Sequence, residues 1–174
     1  RQMCIRDSIG MDENRHKRVI HVHHEKNMDF NQQIEKIIEL NARFNPVIIE
    51  LETNNFAMAF NQVLQEISDL PIKPFNMSRM KKEALIHTLQ LHFEQRHLLI
   101  PYKDEGSTRR HMNALLTELS YFTMLESGKM ESLGAHDDMV IALALSVQAT
   151  KEYRENIVIL DGETWRNRLG WMDA

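Results

Sequence analysis

Cysteine is almost absent: Cys4 is the single one in 174 residues, so no internal disulfide can form and a reducing compartment suits the chain. No apolar run approaches the ~20 residues that a membrane helix requires, and no secretory leader is recognisable. With 6 glycines and 4 prolines, collagen-like and low-complexity classes are excluded. Charge of neither sign dominates, since 21 Lys and Arg face 25 Asp and Glu for a net charge of −4. Bulk charge therefore does not advertise nucleic-acid binding. A Gly-rich phosphate loop and a G-x-S-x-G elbow are also missing, which removes the P-loop and α/β-hydrolase readings.

What is present is the composition of an ordinary globular domain, 43% hydrophobic and 26% charged. At this length one domain with a real core is expected. Residues 1–10 carry the lone cysteine and no periodicity. They are expected to be a stray leader outside the domain, which makes the chain a fragment. The domain is assigned to 11–155 and a polar tail to 156–174.

Along the chain, 17–24 alternates as a strand, with Val19, His21 and His23 on one side and Ile20, Val22 and His24 on the other. Asp29 can cap a helix carrying Phe30, Ile34, Ile37 and Ile38, which Asn45 and Pro46 end. The nearly continuous apolar run 47–52 predicts a central strand covered on both faces. A helix follows over 56–67, and 70–75, with two prolines, predicts a short edge strand. A helix over 80–96 places Leu85, Ile86, Leu89 and Phe93 on one stripe. After a brief extended piece at 97–102, Ser107 or Thr108 can cap a helix bearing Met112, Leu115, Leu116, Leu119 and Phe122. The turn-rich 126–135 can form a hairpin, 139–147 is apolar nearly all round and predicts a buried helix, and 157–160 is strand-like. This order predicts an α/β layer fold with some parallel pairing.

Two acidic constellations could carry chemistry. Glu50 and Glu52 share one face of the 47–52 strand, and Glu52 sits where the strand ends, the place where open α/β sheets bind ligands. Two acids on an apolar strand are either solvated at a frayed end or paired with a cation. Asp137 and Asp138 open the apolar helix. They either stabilise its positive end or, converging at a buried helix mouth, suit a hard cation such as magnesium. His21, His23 and His24 lack a fourth ligand at zinc spacing, and a solvated strand face is the simpler reading. Basic clusters at 15–18, 79–82 and 109–111 are either solvated surface or phosphate contacts.

The segment Glu52, Thr53, Asn54, Asn55, Phe56 at a strand end precedes by roughly 80 residues the run from Gly134 and Ala135 through His136, Asp137 and Asp138 to Met139, Val140, Ile141 and Ala142. Between them lie Leu70-Pro71-Ile72, a helix bearing Lys82, Leu99-Ile100-Pro101 and Glu118-Leu119. In order and spacing this resembles the nuclease domain of phage terminase large subunits. The resemblance implies an RNase H-like three-layer fold, a central mixed sheet flanked by helices, similar also to Holliday-junction resolvases. It further implies two-metal hydrolysis of concatemeric viral double-stranded DNA during genome packaging, with Mg²⁺ or Mn²⁺ as cofactor. Glu52, Asp138 and Asp137 would be the catalytic metal ligands, with Asp138 the direct one of the pair. His136, Asn54 and Lys82 would support them, and Lys81, Lys82, Arg109 and Arg110 would meet DNA.

Two departures stand against that family pattern. Its first catalytic aspartate lies on an opening strand for which no equivalent is evident: Asp12 reads as a turn and Asp7 falls in the 1–10 leader. Its ATPase motor is absent from this sequence. The expected partners are DNA, the small terminase subunit and the portal, with no membrane, in the cytoplasm of an infected bacterial host. The alternatives are a non-catalytic DNA-binding or portal-docking module and a resolvase-like nuclease for branched DNA.

Overall fold

The structure, a computed structural model, describes residues 3–12, 15–53, 56–100, 106–124, 130–133 and 137–152. Its elements run β1 (Met3–Met11), β2 (Lys17–Lys26), α1 (Phe30–Phe44), β3 (Ile49–Glu52), α2 (Phe56–Ile67), β4 (Ile72–Phe75), α3 (Arg79–Glu94), β5 (Leu98–Leu99), α4 (Gly106–Ser120), β6 (Phe122–Met124), β7 (Met130–Ser132) and α5 (Asp138–Glu152). The fold is α/β, with both parallel and antiparallel strand pairing.

β2 is the middle of a three-stranded sheet ordered β1-β2-β5, antiparallel to β1 and parallel to β5. Residues 3–10, part of the segment 1–10 that the sequence reading places outside the domain, thus form most of a strand. Its lack of alternation hid that, because a strand paired along its whole length needs no amphipathic pattern to form hydrogen bonds. Pairing passes from Ser8 opposite His21 to Ile9 opposite Val19, so Ile20 is an extra residue on β2, a β-bulge. The bulge resets the alternation: Val19 and Val22 both enter one core, whereas unbroken alternation predicts opposite faces. Between β1 and β2, Asp12 makes the expected turn, accepting from the backbone nitrogens of Arg15 at 2.9 Å and His16 at 2.9 Å.

α1 begins where its sequence says it should. The Asp29 side chain accepts from the Gln32 backbone at 2.9 Å, and the Gln32 side chain accepts from the Asp29 backbone at 2.9 Å, a capping box. Asn45 closes the helix in the left-handed region at φ 44°. Ile34 and Ile37 are buried as expected and Leu40 joins them, whereas Ile38 lies on the outer side. α3 starts at the Ser78 cap and buries Leu85, Ile86 and Leu89. α4 begins at Gly106, so Ser107 and Thr108 lie inside its first turn. Met112 and Leu115 are buried, Leu116 is exposed, and Phe122 belongs to β6. The hairpin β6–β7 pairs Thr123 with Glu131.

Two cores result. The larger joins Val19, Val22 and Leu98 of the sheet to α3, α4 and α5. α5 contributes Met139, Val140, Ile141, Leu143, Ala144, Leu145 and Val147, so its nearly continuous apolar run is buried as the sequence predicts. The smaller core joins α1, β3 and α2 through Ile34, Ile37, Leu51, Phe60 and Leu64. β3 pairs in parallel with β4, Glu52 opposite Phe75, in a separate two-stranded sheet. It is therefore not a central strand with neighbours on both edges among the described residues, although α5 also packs against it. No helix among the described residues is long and apolar enough to cross a membrane.

Candidate functional site

The sites of interest sit where β3 ends and where α3 and α5 begin. In β3, Ile49 and Leu51 point into the smaller core, so period-two alternation sends Glu50 and Glu52 to the other face. α5 opens on that side. Its first backbone hydrogen bond runs from the Ile141 nitrogen to the Asp137 carbonyl at 3.0 Å, which puts Asp137 at the cap and Asp138 in the first turn. The Asp137 carboxylate does not cap the helix: its Oδ2 lies 2.6 Å from Nζ of Lys82 in the first turn of α3.

Glu52 feels the same groups. Burial raises its carboxyl above the ordinary value, Lys82 opposes that rise, and Asp138 and Asp137 add to it. Glu52, Lys82, Asp137 and Asp138 thus form one electrostatic cluster drawn from three elements. Glu118, in the last turn of α4, belongs to it too and was missed as a site residue. Its Oε2 accepts from the Met139 nitrogen at 2.9 Å, so Glu118 serves as the cap that Asp137 does not. Its carboxyl is raised by burial, lowered by the Met139 and Val140 nitrogens, and raised by Asp138 and Asp137. No local pattern could have exposed this, since Glu118 and Met139 are 21 residues apart.

Of the other residues singled out in the sequence, His136 and Asn54 lie outside the described residues, as does the strand-like 157–160. Asp7 lies in β1 opposite Val22. Lys81 precedes Lys82, donates to the Asn76 carbonyl at 3.1 Å and lies 5.3 Å from the centre of the Phe75 ring. Arg109 and Arg110 are exposed near the start of α4. At the helical rise they stand about 12 Å along that helix from Glu118, at its opposite end from the acids.

The histidines of β2 are not a solvated face. His21 stacks on His23 with ring centres 6.4 Å apart and meets Phe44 at 5.4 Å. Burial pushes the His21 imidazole down to about 4, helped by Arg43, His23, Lys36 and His111. A neutral ring among cations is a packed aromatic, and the bulge at Ile20 is what turns it toward α1.

Glu50 is the costliest group nearby. Its side chain is 2% exposed, both carboxylate oxygens lack a hydrogen bond, and Lys73 stands 3.9 Å away. Burial raises its carboxyl above the usual 4.5, against the pull of Lys73. A carboxyl raised in the folded state binds its proton more tightly there than when unfolded. Its contribution to stability therefore declines as pH rises from 4.5 through the raised value. Glu50→Gln should raise Tm at neutral pH by roughly 2–4 °C, corresponding to about 1 kcal/mol. The gain should shrink as pH falls toward 4.5; calorimetric scans that show the same gain at both pH values would refute the assignment.

The oxygen donors of Glu52, Asp137 and Asp138 are the kind that hard divalent cations select. Among the described residues, however, no three His, Cys, Asp or Glu side chains lie close enough together to hold a metal ion. The donor chemistry fits, and the side-chain positions leave Asp137 with Lys82.

The family described as the terminase RNase H-like domain matches residues 10–149. The fold is also similar to crystal structures of the large terminase nuclease from thermophilic phage G20c. The one with bound cobalt shares 20% identity at a TM-score of 0.62, covering 83% of this chain and 81% of that one. A second crystal structure of that nuclease shares 21% identity at a TM-score of 0.62, covering 84% of this chain and 81% of that one. No curated protein sequence matches the chain.

Proposed function

This chain belongs to the terminase RNase H-like domain family, and from that premise we propose that it is the metal-dependent endonuclease domain of a terminase large subunit. The observation that carries the reading is the meeting of Glu52 from β3 with Asp137 and Asp138 from α5, beside Lys82 of α3. Acids from separate elements that lie within electrostatic reach of one another repel. Such an arrangement persists where a cation binds.

In this reading Glu52 and Asp138 hold Mg²⁺ or Mn²⁺, with Asp137 a third ligand. The cofactor supplies Lewis acidity toward a phosphoryl oxygen and makes water a better nucleophile at neutral pH. The chain's own residues do the rest. Glu118 fixes the start of α5 so that Asp138 is presented at one height. Exposed Lys81 gives the phosphate backbone a cation beside the site, and Arg109 and Arg110 offer a second contact farther along. The cobalt bound in the crystal structure of the G20c phage nuclease supports a divalent cofactor. The family supports DNA as the substrate; in this reading that DNA is double-stranded and viral, the partners of the full protein are the small subunit and the portal, and the compartment is the cytoplasm of an infected bacterial host.

The test is nicking of a supercoiled plasmid. With Mn²⁺ the protein should convert it to open-circular and linear forms, EDTA should stop the reaction, and rising salt should weaken it. Folded protein that leaves the plasmid supercoiled across a range of Mn²⁺ concentrations would favour a non-catalytic module.

A further inference from the structure

Three cations occupy the first turn of α3, Arg79, Lys81 and Lys82, and no acid accompanies them. The positive end of a helix disfavours cations, so each needs another reason to be there. Arg79 finds Glu83 one turn on at 3.3 Å, and Lys81 finds the Asn76 carbonyl. Lys82 reaches instead across 55 positions of sequence to Asp137, at 2.6 Å and half-buried. It is also the cation that acts on Glu52, against the repulsion of Asp137 and Asp138.

We propose that Lys82 is the resident counter-ion of the acidic site, and that a divalent cation enters by displacing its ammonium from Asp137. This rests on the nuclease reading and explains why the acids, though electrostatically coupled, are not gathered into a three-ligand cluster among the described residues. While Asp137 faces Lys82, its Oδ2 accepts from an ammonium at 2.6 Å, where a cation would otherwise bind. Exchange frees the carboxylate for the incoming ion. It also frees the ammonium, which stays tethered to the first turn of α3 beside Lys81 and can meet a phosphate oxygen. One side chain would then neutralise the site before loading and contact the substrate after it. The rival account keeps Lys82 fixed, orienting Asp137 as a permanent buttress.

Calorimetric titration of Mn²⁺ into the full chain separates the two. A competitor's removal tightens binding, so Lys82→Gln should lower the Kd about fivefold, the equivalent of one half-exposed ion pair. Lys82→Arg, which grips a carboxylate with two parallel hydrogen bonds, should raise the Kd above that of the native chain. Thermal melts in EDTA should show Lys82→Gln less stable than the native chain, with the gap closing when Mn²⁺ is added. If the Gln variant does not fold without metal, the Arg variant carries the comparison. Equal or weaker Mn²⁺ binding by Lys82→Gln, or tighter binding by Lys82→Arg, overturns the exchange and leaves the metal site standing. No Mn²⁺ binding by the folded native chain or either variant overturns the metal reading and the exchange with it.

Discussion

Asp138→Asn combined with Glu52→Gln should reduce Mn²⁺-supported plasmid nicking by at least about 10³-fold, because the charge that would hold the cation against the phosphate is gone. The same pair should not destabilise the fold. Glu52 is raised by burial and by Asp138 and Asp137, so removing two of these charges relieves repulsion that the folded state bears and the unfolded chain does not. Tm at neutral pH should hold or rise while activity disappears. That opposition distinguishes a functional acid from a structural one. Unchanged cutting by the double variant would remove Glu52 and Asp138 from the site, and loss of cutting together with a lower Tm would show a scaffold role instead.

The second large effect lies in the core that presents those acids. Leu143 is fully buried in α5, one and a half turns after Asp138, among side chains from β2, α3 and α4. Leu143→Ala should cost about 2–5 kcal/mol, lost transfer free energy plus the cavity left behind. That is a large share of the ~5–15 kcal/mol by which a domain is stable. In urea the midpoint should fall by about 1–3 M at an unchanged slope. A loss below about 1 kcal/mol would mean that α5 repacks freely and cannot fix the height of Asp138.

The reach of the sequence can be judged on particular residues. α1 was legible because Asp29, Gln32 and Asn45 encode both of its ends locally. α5 was legible because an unbroken apolar run has only the interior to go to. β4 was legible from its prolines, since Pro74 lacks the donor that an inner strand needs. The acids at 52, 137 and 138 could be named as candidates, because each sits at the end of a readable element. What could not be read was which group each would face. Lys82 reads as a phosphate contact, and its partner lies 55 residues away; Glu118 reads only as part of the helix end that leads to the acidic loop, and its partner lies 21 residues away. Pairings of that range depend on how elements dock, and no local pattern carries them. β1 failed for a related reason. Its partner strand holds it through backbone hydrogen bonds, which leave no mark in the side-chain sequence.

The bulge at Ile20 has a consequence for how much the chain can change. With Ser8 opposite His21 and Ile9 opposite Val19, the two halves of β2 are already in step with β1 on either side of the extra residue. A chain one residue shorter at that point would pair without interruption. Val19 and Val22 would still face the larger core, and His21 would still face Phe44. Insertion or deletion of a single residue elsewhere in β2 would turn every following side chain to the wrong face. Relatives that differ in length along this strand should therefore place their gap at Ile20.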